Sequence, residues 1–257
     1  MNQHTSNETG KALQGKVAFV TGGARGIGAA IVKRLARDGA TLAFTYASAS
    51  SAAAAGDLAA TIIANGGRAL ALKADSGDAL ALGGAIARVA AEFGRLDILV
   101  NSAGILSLAP IDQFPLEDFD RSLAVNVRAL FVASQEAVKH MGRGGRIISI
   151  GSVSAIRAGF PTSSVYSMTK GAVASMVRGM AIDLAPRGIT VNNVQPGPTE
   201  TDLNPSDGPH AAALKSMIPV GRVGQPDEIA AMVAYLAGPE ADFVTGASLT
   251  IDGGYTA

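Results

Sequence analysis

The chain has 257 residues with no cysteine and no tryptophan, and its 21 Lys and Arg balance 21 Asp and Glu. The missing cysteines exclude a disulfide-stapled scaffold and a thiolate metal site, and a charged fraction of only 16% excludes a counterion-releasing nucleic-acid binder. With 48% hydrophobic residues, mostly Ala, Val, Ile and Leu, there is material for a large core of helices on a buried sheet, while 31 glycines mark close approaches of backbone to backbone or ligand.

Residues 1–12 are polar, with no apolar stretch that could serve as a signal-peptide core, and read as a flexible leader before one domain spanning 13–257. No run of eighteen apolar residues occurs, and the expectation is a cytoplasmic protein. From Lys16 onward, short β-branched runs alternate with longer helical patterns, the signature of βαβ units and a parallel sheet. The run Val17–Val20 is the first strand, and a helix follows from Gly26 to Arg37. Thr41–Thr45 is the second strand, and Ala52–Ala64 a helix stopped by Asn65-Gly66-Gly67. Arg68–Lys73 is the third strand, Asp78–Phe93 a helix closed by Gly94, and Leu96–Val100 the fourth strand. One helical region covers Leu116–Met141, Arg146–Ile150 is the fifth strand, and Ser163–Ala185 the longest helix, stopped by Pro186-Arg187-Gly188. Ile189–Val194 is the sixth strand. The polar stretch Pro196–Pro209 reads as a lid or binding loop, with disorder as the alternative. Pro226 opens a last helix with Asp227 and Glu228 in its first turn, and Ser248–Ile251 is the final strand. The fold expected from these patterns is one α/β domain built on a parallel sheet.

Thr21-Gly22-Gly23-Ala24-Arg25-Gly26-Ile27-Gly28 falls between the first strand and the first helix, where backbone amides can hold a pyrophosphate. Gly22, Gly26 and Gly28 permit the sharp turn, the approach of phosphate oxygens and tight helix packing. An acidic residue at the end of the second strand would bond a ribose 2′-hydroxyl, but that position reads Phe44-Thr45-Tyr46-Ala47-Ser48. Arg25 can reach a 2′-phosphate and Ser48 or Ser50 can donate to it, so NADP(H) is favoured over NAD(H). The alternative makes Arg25 a solvated loop residue. Asp75 and Ser76, after the third strand, are placed to meet an adenine ring.

Tyr166 and Lys170 are four residues apart near the start of the long helix, so phenol and ammonium share a face, and the cation favours a deprotonated phenol. Gly151-Ser152 follows the fifth strand directly, and Asn101-Ser102-Ala103-Gly104 follows the fourth. His4, His140 and His210 have no ligand spacing, and no metal site is expected.

Together, the glycine loop, Asn101–Gly104, Asn126, Ser152, the Tyr166/Lys170 pair, Pro196-Gly197 and the closing Ile251-Asp252-Gly253-Gly254 resemble the short-chain dehydrogenase/reductase family. The resemblance covers Leu13–Tyr255 and lies nearest the 3-oxoacyl-acyl-carrier-protein reductase-like branch. It implies an α/β doubly wound Rossmann domain, with a central seven-stranded parallel sheet and helices on both faces, and a homotetramer. It also implies that Tyr166 exchanges a proton with the substrate oxygen, that Lys170 assists it and binds the nicotinamide ribose, that Ser152 bonds the carbonyl, and that Asn126 holds a water linking Lys170 to solvent. Cofactor contacts are expected from Gly22, Arg25, Gly26, Ile27, Gly28, Tyr46, Ser48, Asp75, Ser76, Asn101, Ala103, Gly104, Pro196, Gly197, Thr199 and Thr201, besides Tyr166 and Lys170. The implied activity is reversible reduction of a ketone or aldehyde.

Three features depart from the family pattern. Ser102 stands where Asn is common, Gln195 precedes Pro196-Gly197 where Asn is frequent, and the interval from Ser152 to Tyr166 is one residue longer than usual. The last makes Ser154 a rival to Ser152 and puts the extra residue in the loop 155–162. Substrate walls are expected from Ile105–Leu108, Ser154–Phe160 and the lid Thr199–Ile218, with Leu203, Leu214, Met217 and Ile218 contributing apolar surface. No basic run supports an acidic carrier-protein partner. The competing reading is a regulatory protein of this fold with little turnover, since some bacterial members of this branch are linked to cyclic-di-GMP binding and biofilm dispersal.

Overall fold

The computed structural model describes residues 11–202, 204 and 211–257. Its strands are β1 (Val17–Thr21), β2 (Thr41–Tyr46), β3 (Ala69–Lys73), β4 (Ile98–Asn101), β5 (Arg146–Ile150), β6 (Thr190–Pro196) and β7 (Ser248–Ile251). They form one parallel sheet in the order β3-β2-β1-β4-β5-β6-β7. The order reverses between β1 and β4, where chain connections leave in opposite directions and open a crevice at the carboxyl ends of the strands. This is the doubly wound fold that the resemblance implied, built on the parallel sheet expected from the alternation of patterns.

The inner strands β1, β4, β5 and β6 are buried throughout; β1 and β4 read as near-continuous apolar runs, whereas β6 also buries Asn192, Asn193 and Gln195. One face is covered by α1 (Gly26–Arg37), α2 (Ala52–Ala64) and α8 (Pro226–Ala237), whose Ile31, Val32, Leu35, Leu58, Ile62, Ile229 and Val233 pack with Ala18 and Val20 of β1. The other is covered by α3 (Ala79–Phe93), α5 (Ala129–Ala137) and α6 (Ser164–Leu184), whose Leu82, Ile86, Val89, Leu130, Val173 and Val177 pack with Val17 and Phe19. Alternate residues of β1 therefore feed two cores. Full burial of each aliphatic side chain contributes about 1.5–3 kcal/mol.

Local signals place the helix ends. The Asp78 carboxylate accepts the Leu80 and Ala81 amides at the start of α3, and Gly94 ends it at φ +75. Pro226 occupies the first turn of α8, and the Glu228 carboxylate reaches back to the Gln225 amide at 2.8 Å.

The expected single helix from Leu116 to Met141 is instead broken. It comprises α4 (Leu116–Leu123), a π turn at Ala124–Arg128, and α5, which stops at Ala137. Periodicity cannot reveal one extra residue per turn in a sequence that stays helical on both sides. Of the polar stretch after β6, where a lid or binding loop is expected, residues 203 and 205–209 lie outside the described ones, and the rest is tied to the fold. Pro196 extends the strand, Thr199 is buried and bridges to Gly224, and α7 (Ala211–Ser216) follows. The expectations for residues 1–10, Leu203 and Ser206 lie outside the described residues.

Candidate active site

The carboxyl ends of β1, β4, β5 and β6 share one rim, and two threonines tie the glycine loop to it. Thr21 Oγ1 accepts the amides of Ser102 and Ala103, each at 3.0 Å, joining the end of β1 to the turn after β4. Thr45 Oγ1 accepts the Gly22 amide at 3.0 Å, and its carbonyl accepts Gly23 at 2.9 Å. The loop is packed to contact. A Cβ at Gly22 would lie 2.9 Å from Ala103 Cα, and one at Gly28 only 2.1 Å from the Gly22 carbonyl oxygen. At Gly26 the backbone takes φ +53, with the Thr201 methyl 3.5 Å from where a Cβ would stand. No acidic side chain occupies the first turn of α1 and no side chain caps it, which leaves its leading amides available to an anion.

Arg25, at the N-cap of α1, is exposed. Tyr46 ends β2 half-buried, and Ser48 begins a 3-10 turn (Ala49–Ser51) with its Oγ 2.8 Å from Ser50 Oγ and 3.1 Å from Ser51 Oγ. No carboxylate stands at this strand end. Ser76 is buried. Burial pushes the Asp75 carboxyl up, but hydrogen bonds from the Gly77 amide and the Arg121 guanidinium outweigh it and hold Asp75 below the ordinary carboxylate value.

Across the crevice, Tyr166 lies in the first turn of α6 and Lys170 one turn on. Lys170 is buried, and its Nζ donates to the Ile150 carbonyl at 3.0 Å while standing 5.6 Å from the centre of the Tyr166 ring. The last residue of β5 thus anchors the ammonium beside the phenol. Ser152, just past β5, is buried, and its Oγ accepts the Ser154 amide at 3.0 Å. An oxygen oriented as an acceptor in this way keeps its own proton for another partner. Ser154 contributes a backbone amide to this arrangement.

Asn126 sits in the π turn, buried. Its Oδ1 accepts the Ile105 amide at 2.9 Å, and its Nδ2 donates to the Ile105 carbonyl at 2.9 Å and to Thr169 Oγ1 at 3.1 Å. The side chain therefore holds the loop after β4 against α6. Asn126 and Lys170 also line a cavity of about 10 Å³ with Thr21, Asn101 and Ala103. That is space for about one water. The buried Asn101 Oδ1 finds no hydrogen-bond partner among the described residues.

Gly104 stays open, with Asn126 Oδ1 at 3.5 Å and Lys170 Nζ at 3.6 Å from its missing Cβ. At Gly197 a Cβ would lie 2.5 Å from that of Asp252, so the turn after β6 needs glycine to pack on the C-terminal hook. Thr199 Oγ1 donates to the Gly197 carbonyl at 2.9 Å, and Thr201 exchanges backbone hydrogen bonds with Asn204. Of the expected lid walls, Ile218 is instead buried with Val153, Val223 and Tyr255, and Leu214 packs against them. This cluster joins α7 to the start of the loop 153–160. Thr162, at the end of the loop 155–162, is the one non-glycine residue among those described with positive φ, at +71.

A family model described as Enoyl-(Acyl carrier protein) reductase matches residues 22–256. A short-chain dehydrogenase/reductase of Serratia marcescens is 56% identical, with a TM-score of 0.93 over 96% of this chain and 100% of that one. The chain belongs to the short-chain dehydrogenase/reductase family. A Burkholderia cenocepacia short-chain dehydrogenase, solved in complex with NADP, is 52% identical at TM-score 0.94, covering 96% of this chain and 100% of that one. The cyclic-di-GMP-binding biofilm dispersal mediator protein of Escherichia coli is 45% identical over 246 residues, 96% of this chain and 99% of that one. Residues that motif reading of this short-chain dehydrogenase/reductase passed over are those acting through backbone partners or across the fold: Thr45, Ile150 through its carbonyl, and Arg121. Only the strand register and the packing of α4 bring them to the rim.

Proposed function

We propose that this family member is an NADP(H)-dependent oxidoreductase that reduces a ketone or aldehyde and oxidises a secondary alcohol in reverse. The carrying observation is the buried Lys170 ammonium, anchored on Ile150 at 3.0 Å with its charge 5.6 Å from the Tyr166 ring. The crevice fits the cofactor. Amides with no side-chain cap open α1, glycines leave no room for side chains where a pyrophosphate would pass, and Arg25 with Ser48 and Ser50 would meet a 2′-phosphate where no carboxylate would repel it. The Burkholderia relative's NADP supports the same preference. Bound there, NADPH supplies the hydride. Tyr166 gives its hydroxyl proton to the substrate oxygen, and the Lys170 charge stabilises the phenolate that remains. Ser152, oriented by the Ser154 amide, donates to the same oxygen and holds the carbonyl in line. Asn126 borders the one-water cavity beside Lys170, which supports a water route returning the proton to Lys170 and Tyr166.

A carbonyl panel followed by nicotinamide absorbance tests this, with Tyr166→Phe as control. Turnover in the parent and its loss in Tyr166→Phe are expected, and equal rates refute the mechanism. Titration should show tighter binding of NADPH than NADH. The Escherichia coli relative supports a second reading, a nucleotide-binding regulator with little turnover, and saturable binding of cyclic-di-GMP without turnover of any carbonyl would favour it. Exposed Ile111, Leu116 and Met168, which line one apolar groove with Phe114 and Phe119 between α4 and the start of α6, support the homotetramer, which light scattering of the purified protein checks.

A further inference from the structure

The loop after β3 is held by arginines from a helix that the cofactor reading leaves without a task. Arg121, in the last turn of α4, donates from Nη2 to both carboxylate oxygens of Asp75, at 2.9 Å each. The Gly77 amide donates to Asp75 Oδ1 at 2.8 Å. Arg128, seven residues further along and across the π turn, donates to the Gly77 carbonyl at 3.0 Å. A Cβ at Gly77 would lie 2.0 Å from Arg121 Nη1, so the guanidinium passes through the space this glycine leaves. These bonds give one carboxylate a fixed direction. A carboxylate offers about four acceptor sites, and the three hydrogen bonds from these two donors leave one side of Oδ2 unused among the described residues.

We infer that Arg121 is a positioning residue that holds Asp75 as a fixed acceptor for the exocyclic amino group of the cofactor's adenine, making the chain selective for adenine at that position. This rests on the NADP(H) reading above. The chemistry is directional. Adenine presents an N–H donor at its six-position, which an ionised carboxylate accepts. Hypoxanthine presents a carbonyl oxygen there, which the same carboxylate repels. Without Arg121 the carboxylate is free to rotate into solvent, and both the attraction and the repulsion fade. The helical segment that carries Asn126 at one end of the crevice thereby orients the adenine end as well.

The experiment compares binding of NADPH with that of its hypoxanthine analogue, by fluorescence titration of the intact protein. The parent should prefer NADPH roughly tenfold, the worth of one hydrogen bond to a charged group. Arg121→Ala and Arg121→Gln should bring the ratio to about one, mainly by weakening NADPH, and Arg121→Lys should restore part of it. Asp75→Asn, which keeps Arg121 but replaces one acceptor oxygen by a donor, should also lower the ratio. A purely structural role for Arg121 would weaken both cofactors alike and leave the ratio unchanged, and that result overturns the inference. So does a parent that binds both cofactors equally. Binding of neither cofactor by the parent overturns the NADP(H) reading itself, a failure distinct from an unchanged ratio.

Discussion

Gly28→Ala tests whether the glycine loop is held at contact distance. Gly28 lies inside α1, so alanine should gain about 1 kcal/mol in helix propensity. Against this, its Cβ would stand 2.1 Å from the Gly22 carbonyl oxygen and 3.0 Å from the Gly22 carbonyl carbon, well under the 3.4 Å at which ordinary contact begins. Both neighbours are backbone, with no rotamer to yield, so relief requires α1 to move off the loop by about 1 Å. Overpacking of this kind costs about 1–3 kcal/mol, and a rigid backbone obstacle puts it at the upper end. Net destabilisation of about 2 kcal/mol should lower the melting temperature by about 4–8 °C. The same displacement spreads the amides that would grip the pyrophosphate, and misplacement by about 1 Å costs on the order of a hundredfold in turnover. The matched control is Gly56→Ala, exposed within α2 with nothing within 4 Å of the added Cβ. It should raise stability by about 0.5–1 kcal/mol and leave cofactor binding alone. Differential scanning fluorimetry with an NADPH titration reads both variants. A Gly28→Ala protein that melts at or above the parent and binds NADPH as tightly refutes the reasoning.

The two serines should separate by the atoms they supply. Ser152→Ala removes a hydroxyl aimed at the substrate and should cost about 10²–10³-fold in kcat, while Ser154→Ala keeps the amide bonded to Ser152 and should cost less than about tenfold. At Thr162 the backbone holds φ +71, which costs a β-branched residue about 1–2 kcal/mol. Thr162→Gly removes that strain, at some cost in unfolded-chain entropy, and should stabilise the protein by about 0.5–1 kcal/mol in urea unfolding; destabilisation would contradict it. The Glu228 carboxyl is lowered from 4.5 to about 2 by hydrogen bonds from Arg222 and the Gln225 amide. A depressed carboxylate stabilises the fold above its unfolded value and loses that contribution as pH falls from about 4.5 towards 2. The side chain is 41% exposed, so screening limits the effect to about 1 kcal/mol. The urea midpoints of the parent and Glu228→Gln should therefore differ near neutrality and converge as pH falls to about 2; a constant gap would remove Glu228 as the titrating group.

By itself the sequence determined the α/β alternation, the parallel sheet and the rim where the motifs gather. The reason is that these depend on local signals: apolar runs for strands buried on both faces, helical periodicity, and glycines where a turn or contact forbids a side chain. Tyr166 and Lys170 were legible because four residues on a helix bring two side chains to one face. Ser152 was legible because a strand end delivers it to the same edge. The tertiary structure decided what depends on partners far along the chain. Asn126 falls in a π turn whose flanks both read as helix, and its side chain meets Ile105 and Thr169 only after β4 and α6 have packed. The bond from Lys170 to Ile150 spans 20 residues, and that from Arg121 to Asp75 spans 46. Nothing in either local pattern encodes such pairs, because register and helix packing create them. Ile218 carried the same apolar signal whether it faced substrate or core, and only its burial against Val153 and Tyr255 decided between them.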